Sequence, residues 1–180
     1  SSGSGKSYRT KKVVSKAKRL LVWDIDDEHG DIRGIKTFSS LAELARVLLK
    51  AKTGKFRYVG SLNAADFDTF CNMVFAWGHC SCVVEELAVV TSPGKAPQGW
   101  HTLVSRGRKR GVAIFAITQR PAESDKTILG NASVISCGWL RKHSDRVYMS
   151  KEMSIDIGLI NDLNKDKFEY IEAYDNGTFF

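Results

Sequence analysis

A chain of 180 residues with 43% hydrophobic and 26% charged side chains has the size and composition of one globular domain with a real core, which excludes a disordered or fibrous protein. No apolar run approaches the roughly 20 residues that cross a bilayer, so an integral membrane protein is not expected. The formal charge of +7 favours an anionic partner, whether nucleic acid, nucleotide or an acidic surface, and does not choose among them.

The chain begins on Ser1 and its first methionine is Met73; further residues are expected ahead of it. Residues 6–17 lack glycine and proline, and Val13, Val14, Ala17, Leu20 and Leu21 fall near helical spacing, which predicts a helix followed by a buried strand over residues 20–23. An acidic turn, Asp24-Ile25-Asp26-Asp27-Glu28, comes next. Ser40 and Glu43 have capping-box spacing, and Leu41, Leu44, Ala45, Leu48 and Leu49 make one apolar stripe that ends before Gly54. A strand over 56–59 and a helix over 64–77 follow, with Phe67, Phe70, Cys71, Val74 and Phe75 as core positions. Residues 81–85 read as a buried strand, 100–110 as a helix, and 112–118 as a continuous apolar run of the kind that suits a central parallel strand. Beyond Pro121 the pattern predicts a strand over 134–140, a helix over 155–163 and a hairpin through Asp175-Asn176-Gly177. This alternation implies an α/β sheet covered on both faces, in one domain spanning residues 1–180.

The four cysteines, Cys71, Cys80, Cys82 and Cys137, form no Cys-x-x-Cys pair, which fits a reducing, cytosolic compartment. Cys71, His79, Cys80 and Cys82 are close enough in sequence to suggest zinc. Cys82, however, falls in a strand pattern that sends alternate residues to opposite faces, and burial as a small apolar residue is the better reading.

Three segments carry chemistry. Ser1-Ser2-Gly3-Ser4-Gly5-Lys6-Ser7 supplies the last seven positions of G-x-x-x-x-G-K-[ST], with the leading glycine expected just before Ser1 and a strand before that. In such a loop, Ser2, Gly3, Ser4 and Gly5 let backbone N–H groups curl around phosphate oxygens. Lys6 reaches the terminal phosphates and the Ser7 hydroxyl ligates Mg²⁺. A flexible Gly/Ser linker is the bland alternative. The second segment weakens that alternative: Cys82-Val83-Val84-Glu85-Glu86 is an apolar strand ending in paired carboxylates, a Walker B pattern. Glu85 is assigned to the metal and Glu86 to the attacking water, with Glu85 one methylene longer than the usual Asp. In the third, Ala116-Ile117-Thr118-Gln119-Arg120-Pro121, Gln119 leaves the C-terminal end of a buried strand, where it can sense a γ-phosphate. The acidic turn reads as solvated, with contact to the nucleotide as the second reading.

The phosphate loop, the paired glutamates and Thr118-Gln119-Arg120-Pro121 together resemble the HerA-FtsK superfamily of DNA-pumping ATPases, over roughly residues 2–140. A Gly-Arg-containing helix lies between the last two motifs, here Arg106-Gly107-Arg108-Lys109-Arg110-Gly111. The short chain looks most like the genome-packaging ATPases of tailless, internal-membrane phages. The resemblance implies a RecA-like P-loop NTPase of the catalytic-glutamate type, with a mainly parallel sheet, helices on both faces, and the first strand missing from this sequence. It also implies ATP and Mg²⁺ as cofactors and a homo-oligomeric ring, usually hexameric, that moves double-stranded DNA at a viral portal or capsid vertex or in the host cytoplasm. Arg106 and Arg108 best match the arginine that reaches a neighbour's nucleotide. A solvated basic face and contact with DNA phosphates remain open for the same cluster. Arg141, Lys142, His143 and Arg146 form a second basic group, at the surface or against DNA. A filamentous-phage assembly or secretion motor and a non-enzymatic nucleotide-dependent switch are the rival functions.

Overall fold

The structure, a computed structural model, describes residues 5–179. Helix α1 (Lys6–Val14) leads into β1 (Arg19–Trp23). β1 is the middle of a five-stranded sheet with β2 (Ile35–Phe38), β3 (Gly54–Tyr58), β4 (Ser81–Val84) and β5 (Ala113–Ala116), in the order β2-β3-β1-β4-β5 and parallel throughout. Parallel neighbours need crossover connections, and helices α2 (Leu41–Leu48), α3 (Ala64–Trp77) and α5 (Gln98–Arg106) lie in them; α4 (Leu87–Val90) is a single turn after β4.

The pleat of β1 sorts its side chains between two cores. Leu21 and Trp23 face the larger one, packed with Leu44 of α2, Phe67 and Phe70 of α3, and Trp100 and Leu103 of α5. Leu20 and Val22 face the other side, with Val14 of α1, Ile32 and Val83. The mainly parallel sheet with helices on both faces is therefore as the alternation implies. Trp23 is the hub of the larger core, with ring centroids 5.0 Å from Tyr58, 5.2 Å from Phe67 and 5.3 Å from Phe70. Helix α5 approaches α3 closely at Gly99, where a Cβ would stand 2.6 Å from the Asp68 carbonyl oxygen. The Gly99 N–H instead donates to the Asp68 carboxylate at 2.6 Å.

After β5 come a short 3-10 turn (Pro121–Glu123) and α6 (Thr127–Gly130), then a second, smaller unit. Strands β6 (Val134–Gly138) and β7 (Tyr170–Tyr174) pair antiparallel, and with α7 (His143–Met153) and α8 (Ile157–Asn161) they enclose Cys137, Met149, Met153, Ile160 and Ile171. The predicted hairpin is present, with Gly177 at φ 81° and a bridge from Ala173 to Phe179.

Four local differences from the sequence reading have physical causes. Strand β2 has only Ile35 and Phe38 half-buried around two exposed residues, too short a pattern to register. Helix α7 carries no continuous apolar stripe. The helix expected over 100–110 ends at Arg106 and tightens into a 3-10 turn (Gly107–Arg110), where the Val112 N–H bonds to the Gly107 carbonyl at 3.0 Å. Strand β5, read as central, stands at the sheet edge among the described residues. Its Ile114, Phe115 and Ala116 are half-buried, as expected of a strand with a hydrogen-bonded neighbour on one side only.

All four cysteines are buried. Burial pushes the Cys80 thiol up to about 11 and the Cys137 thiol up to about 12, so both stay protonated and serve as small core groups. The core assignment predicts that Phe67→Ala lowers unfolding free energy by about 3–5 kcal/mol. Leu49→Ala, at a side chain 86% exposed, should change it by less than about 0.5 kcal/mol. Urea unfolding of the two variants checks both values.

Candidate active site

The parallel register aligns the ends of three strands: Trp23 of β1 stands level with Val84 of β4, and Val84 with Ala116 of β5. The ladder runs one residue further, from the Glu85 N–H to the Trp23 carbonyl at 3.0 Å and from the Ile117 N–H to the Val84 carbonyl at 2.8 Å. The residues that follow, Asp24, Glu85 and Thr118 with Gln119, therefore emerge at one edge of the sheet. Helix α1 precedes β1 and runs back along the sheet, so its N-terminus opens at that same edge.

The edge holds a cleft of about 780 Å³. Gly5, Lys6 and Ser7 line it from the start of α1, Glu85 and Glu86 from the end of β4, and Gln119 from beyond β5. Of the sequence-predicted loop, Ser2, Gly3 and Ser4 lie outside the described residues. Gly5 takes φ 73° as the residue before α1, a left-handed conformation that suits glycine. Burial pushes Lys6 below the ordinary lysine range, against the pull of the Glu86, Glu85 and Glu28 carboxylates, which all act on it across the cleft.

The paired glutamates are held differently. Glu85 is buried, 3% exposed, with its Oε1 2.5 Å from Nε2 of His29, itself fully buried. Glu86 is half-buried and adopts φ 46°, ψ 54°, a left-handed conformation that costs a non-glycine residue about 1–2 kcal/mol. Its Oε1 accepts from the Gln119 amide at 2.5 Å, so two of the predicted site residues touch directly.

The acidic turn is solvated only in part: Asp26 and Asp27 are exposed as expected, and Asp24 is not. Asp24 is fully buried: its carboxylate accepts from the Glu28 N–H at 2.9 Å, the His29 N–H at 3.0 Å and the Arg57 guanidinium at 2.8 Å. Arg57 also pairs with the exposed Asp27. Asp26 and Glu28 line the cleft, which is the second reading of the turn. Sequence reasoning missed His29, because no motif spacing announces a lone histidine. It missed Tyr8, Phe168 and Tyr170 as cleft residues as well; the last two lie more than a hundred residues from the loop they face.

The arginines divide. Arg106 and Arg108 are exposed and do not line the cleft; they lie where the chain enters the start of β5, the opposite edge of the sheet. Arg110 is tied to the Phe75 and Ala76 carbonyls at 3.2 and 2.9 Å. Arg120 pairs with buried Asp145 at 3.0 Å and with Glu123, anchoring the loop after Gln119 to α7. In the second basic group, Arg141, Lys142 and His143 are exposed, whereas Arg146 folds back onto the Leu140 and Arg141 carbonyls at 2.9 and 3.1 Å.

No cluster of three or more histidine, cysteine or acidic side chains among the described residues forms a ready metal cage. A magnesium ion carried by a triphosphate needs only one or two protein oxygens and keeps several waters, and the Ser7 hydroxyl and Glu85 carboxylate match that donor set. No helix among the described residues is long and apolar enough to cross a membrane.

No family model matches the sequence. Protein P9 of Pseudoalteromonas phage PM2 is 33% identical, over 93% of this chain and 80% of that protein. Among solved structures, the genome-packaging NTPase B204 of Sulfolobus turreted icosahedral virus 2 in complex with AMPPCP superimposes with a TM-score of 0.76 at 15% identity, covering 99% of this chain and 91% of that one. The same NTPase in complex with AMP gives a TM-score of 0.78 at 16% identity, covering 99% and 92%. At these identities the structural likeness is one of fold. The chain thus belongs to the family of phage PM2 protein P9, with the α/β P-loop NTPase fold and motifs of the HerA-FtsK type.

Proposed function

We propose that this chain is the ATP-hydrolysing motor domain that packages double-stranded DNA into a virus particle. The observation that carries the reading is the convergence of Lys6, Ser7, Glu85, Glu86 and Gln119 on one cleft at the C-terminal edge of a parallel sheet. Packaging as the task is supported by the structures of like fold, described as viral genome-packaging NTPases with AMPPCP or ATP-gammaS bound. A strand ahead of the phosphate loop would continue the sheet at the open side of β5.

In this reading the loop N–H groups and the positive end of α1 hold the phosphates, and Lys6 neutralises the terminal ones. Ser7 and Glu85 would hold Mg²⁺, which would supply charge stabilisation for the phosphates. Glu86 accepts a proton from the water that attacks the γ-phosphorus, the bond to the bridging oxygen breaks, and ADP leaves with phosphate. Gln119 touches Glu86, so a γ-phosphate that engages the amide is felt at the base. With the reacting end placed beside Glu86, the nucleoside end falls toward Tyr8, Phe168 and Tyr170. A carboxylate held in a strained backbone beside the sensor favours turnover over a passive switch. The subunits form a ring, six in the family arrangement, around DNA at a portal or capsid vertex. Arg106 or Arg108, remote from its own cleft, serves the cleft of a neighbour.

Lys6→Ala should abolish tight MgATP binding in a nucleotide titration. Glu86→Gln should bind ATP normally and hydrolyse it at least about 10²-fold more slowly, the low end of general-base effects. Normal steady-state turnover in Glu86→Gln would move the base elsewhere.

The ring is tested by mixing. A Glu86→Gln subunit keeps its arginine and an Arg106→Ala or Arg108→Ala subunit keeps its Glu86, so co-assembled rings should regain ATPase activity that neither variant has alone. Double-stranded DNA should stimulate that activity less as salt rises. Wild-type turnover in both arginine variants, or no recovery in verified mixed rings, would return the cluster to a solvated or DNA-facing surface.

A further inference from the structure

We propose that His29 is a positioning residue for the magnesium site, holding one oxygen of Glu85 so that the other is left for the ion or its water. The inference rests on Glu85 being the metal carboxylate. A glutamate has one more rotatable bond than the aspartate usual at this place, and fixing its side chain costs rotamer entropy. A strong, buried hydrogen bond can meet that cost before the nucleotide arrives. His29 provides it: both side chains are out of water, at 0% and 3% exposure, with Nε2 and Oε1 2.5 Å apart. Because an ionised carboxylate only accepts, Nε2 carries the donating proton.

The ring is held from its backbone. The His29 N–H donates to Asp24 Oδ2, and that oxygen also takes the Arg57 guanidinium, so strands β1 and β3 together fix where the imidazole stands. Nδ1 is buried and has no hydrogen-bond partner among the described residues. An unsatisfied buried polar atom costs the full desolvation of that group. A histidine kept only for packing would be better replaced by an apolar residue. The polar contact that accounts for it here is the one to Glu85, and supporting hydrogen bonds of this kind tune metal affinity about 10- to 100-fold.

The test compares side chains of different reach. Glutamine places an amide nitrogen near the position of Nε2, whereas asparagine is too short, and alanine has no donor. Binding of a fluorescent ATP analogue is measured in EDTA and across a Mg²⁺ titration, with thermal melts confirming folded protein. In EDTA all variants should bind within about twofold of the unsubstituted protein, while the Mg²⁺ midpoint rises about 10- to 100-fold in His29→Asn and His29→Ala and stays within about threefold in His29→Gln. An unmoved midpoint in folded His29→Asn overturns the proposal. So does an equal loss with and without metal, which would mean a loosened pocket. The parent assignment has its own control: a Glu85→Ala midpoint equal to that of the unsubstituted protein would remove Glu85 from the metal, and the role of His29 with it, while leaving nucleotide binding by Lys6 intact.

Discussion

Asp24 carries a carboxylate out of water at the end of the central strand, and the edge of the sheet is organised around satisfying it. An unpaired buried charge costs several kcal/mol, so the fold is stable only if donors reach it. Two come from the backbone of Glu28 and His29 and one from Arg57 on the neighbouring strand β3. Meeting that demand curls residues 24–29 into a tight loop, and the loop sets His29 against Glu85. The hydrogen bonds that satisfy Asp24 thus also place the partner of Glu85.

The parallel sheet then converts register into chemistry. Because β1, β4 and β5 end at one level, Glu85, Glu86 and Gln119, separated by up to 34 residues of sequence, meet at one edge without a long loop to place them. The remaining wall comes from the second unit. Arg9 of α1 stacks 3.6 Å from the Tyr170 ring centroid and donates to Ser136 at 3.0 Å, while Arg120 reaches Asp145 on α7. These contacts join the start of α1 and the loop after Gln119 to the same β6-β7 and α7 layer.

What was legible in the sequence followed from strong local signals. The stripe of α2, the cap at Ser40, the apolar runs of β1, β4 and β5, and the glycine of the final hairpin each act within a few residues, and each element formed. That Lys6, Ser7, Glu85, Glu86 and Gln119 share one cleft was readable because their motifs place them at strand ends and a helix start. The burial of Asp24 was not, because the same five acidic-turn residues suit a solvated turn equally well until Arg57, 33 positions later, is seen to reach it. His29 and Phe168 follow the same rule: their roles depend on which distant residue the fold sets beside them. Helix α7 was hidden because its buried face includes Asp145 and two methionines rather than a clean aliphatic stripe.

The left-handed backbone at Glu86 sets stability against activity at a single position. Glycine, or to a lesser degree asparagine, accepts φ 46° with less strain than glutamate does. A search for heat-resistant versions of this domain would therefore draw substitutions toward residue 86, and the hits would be better-folded proteins that have lost the carboxylate proposed as the base. Thermal screening alone would select against that carboxylate, so any such effort has to hold residue 86 fixed and look for its gains at the exposed apolar positions elsewhere, such as Leu49 and Val13.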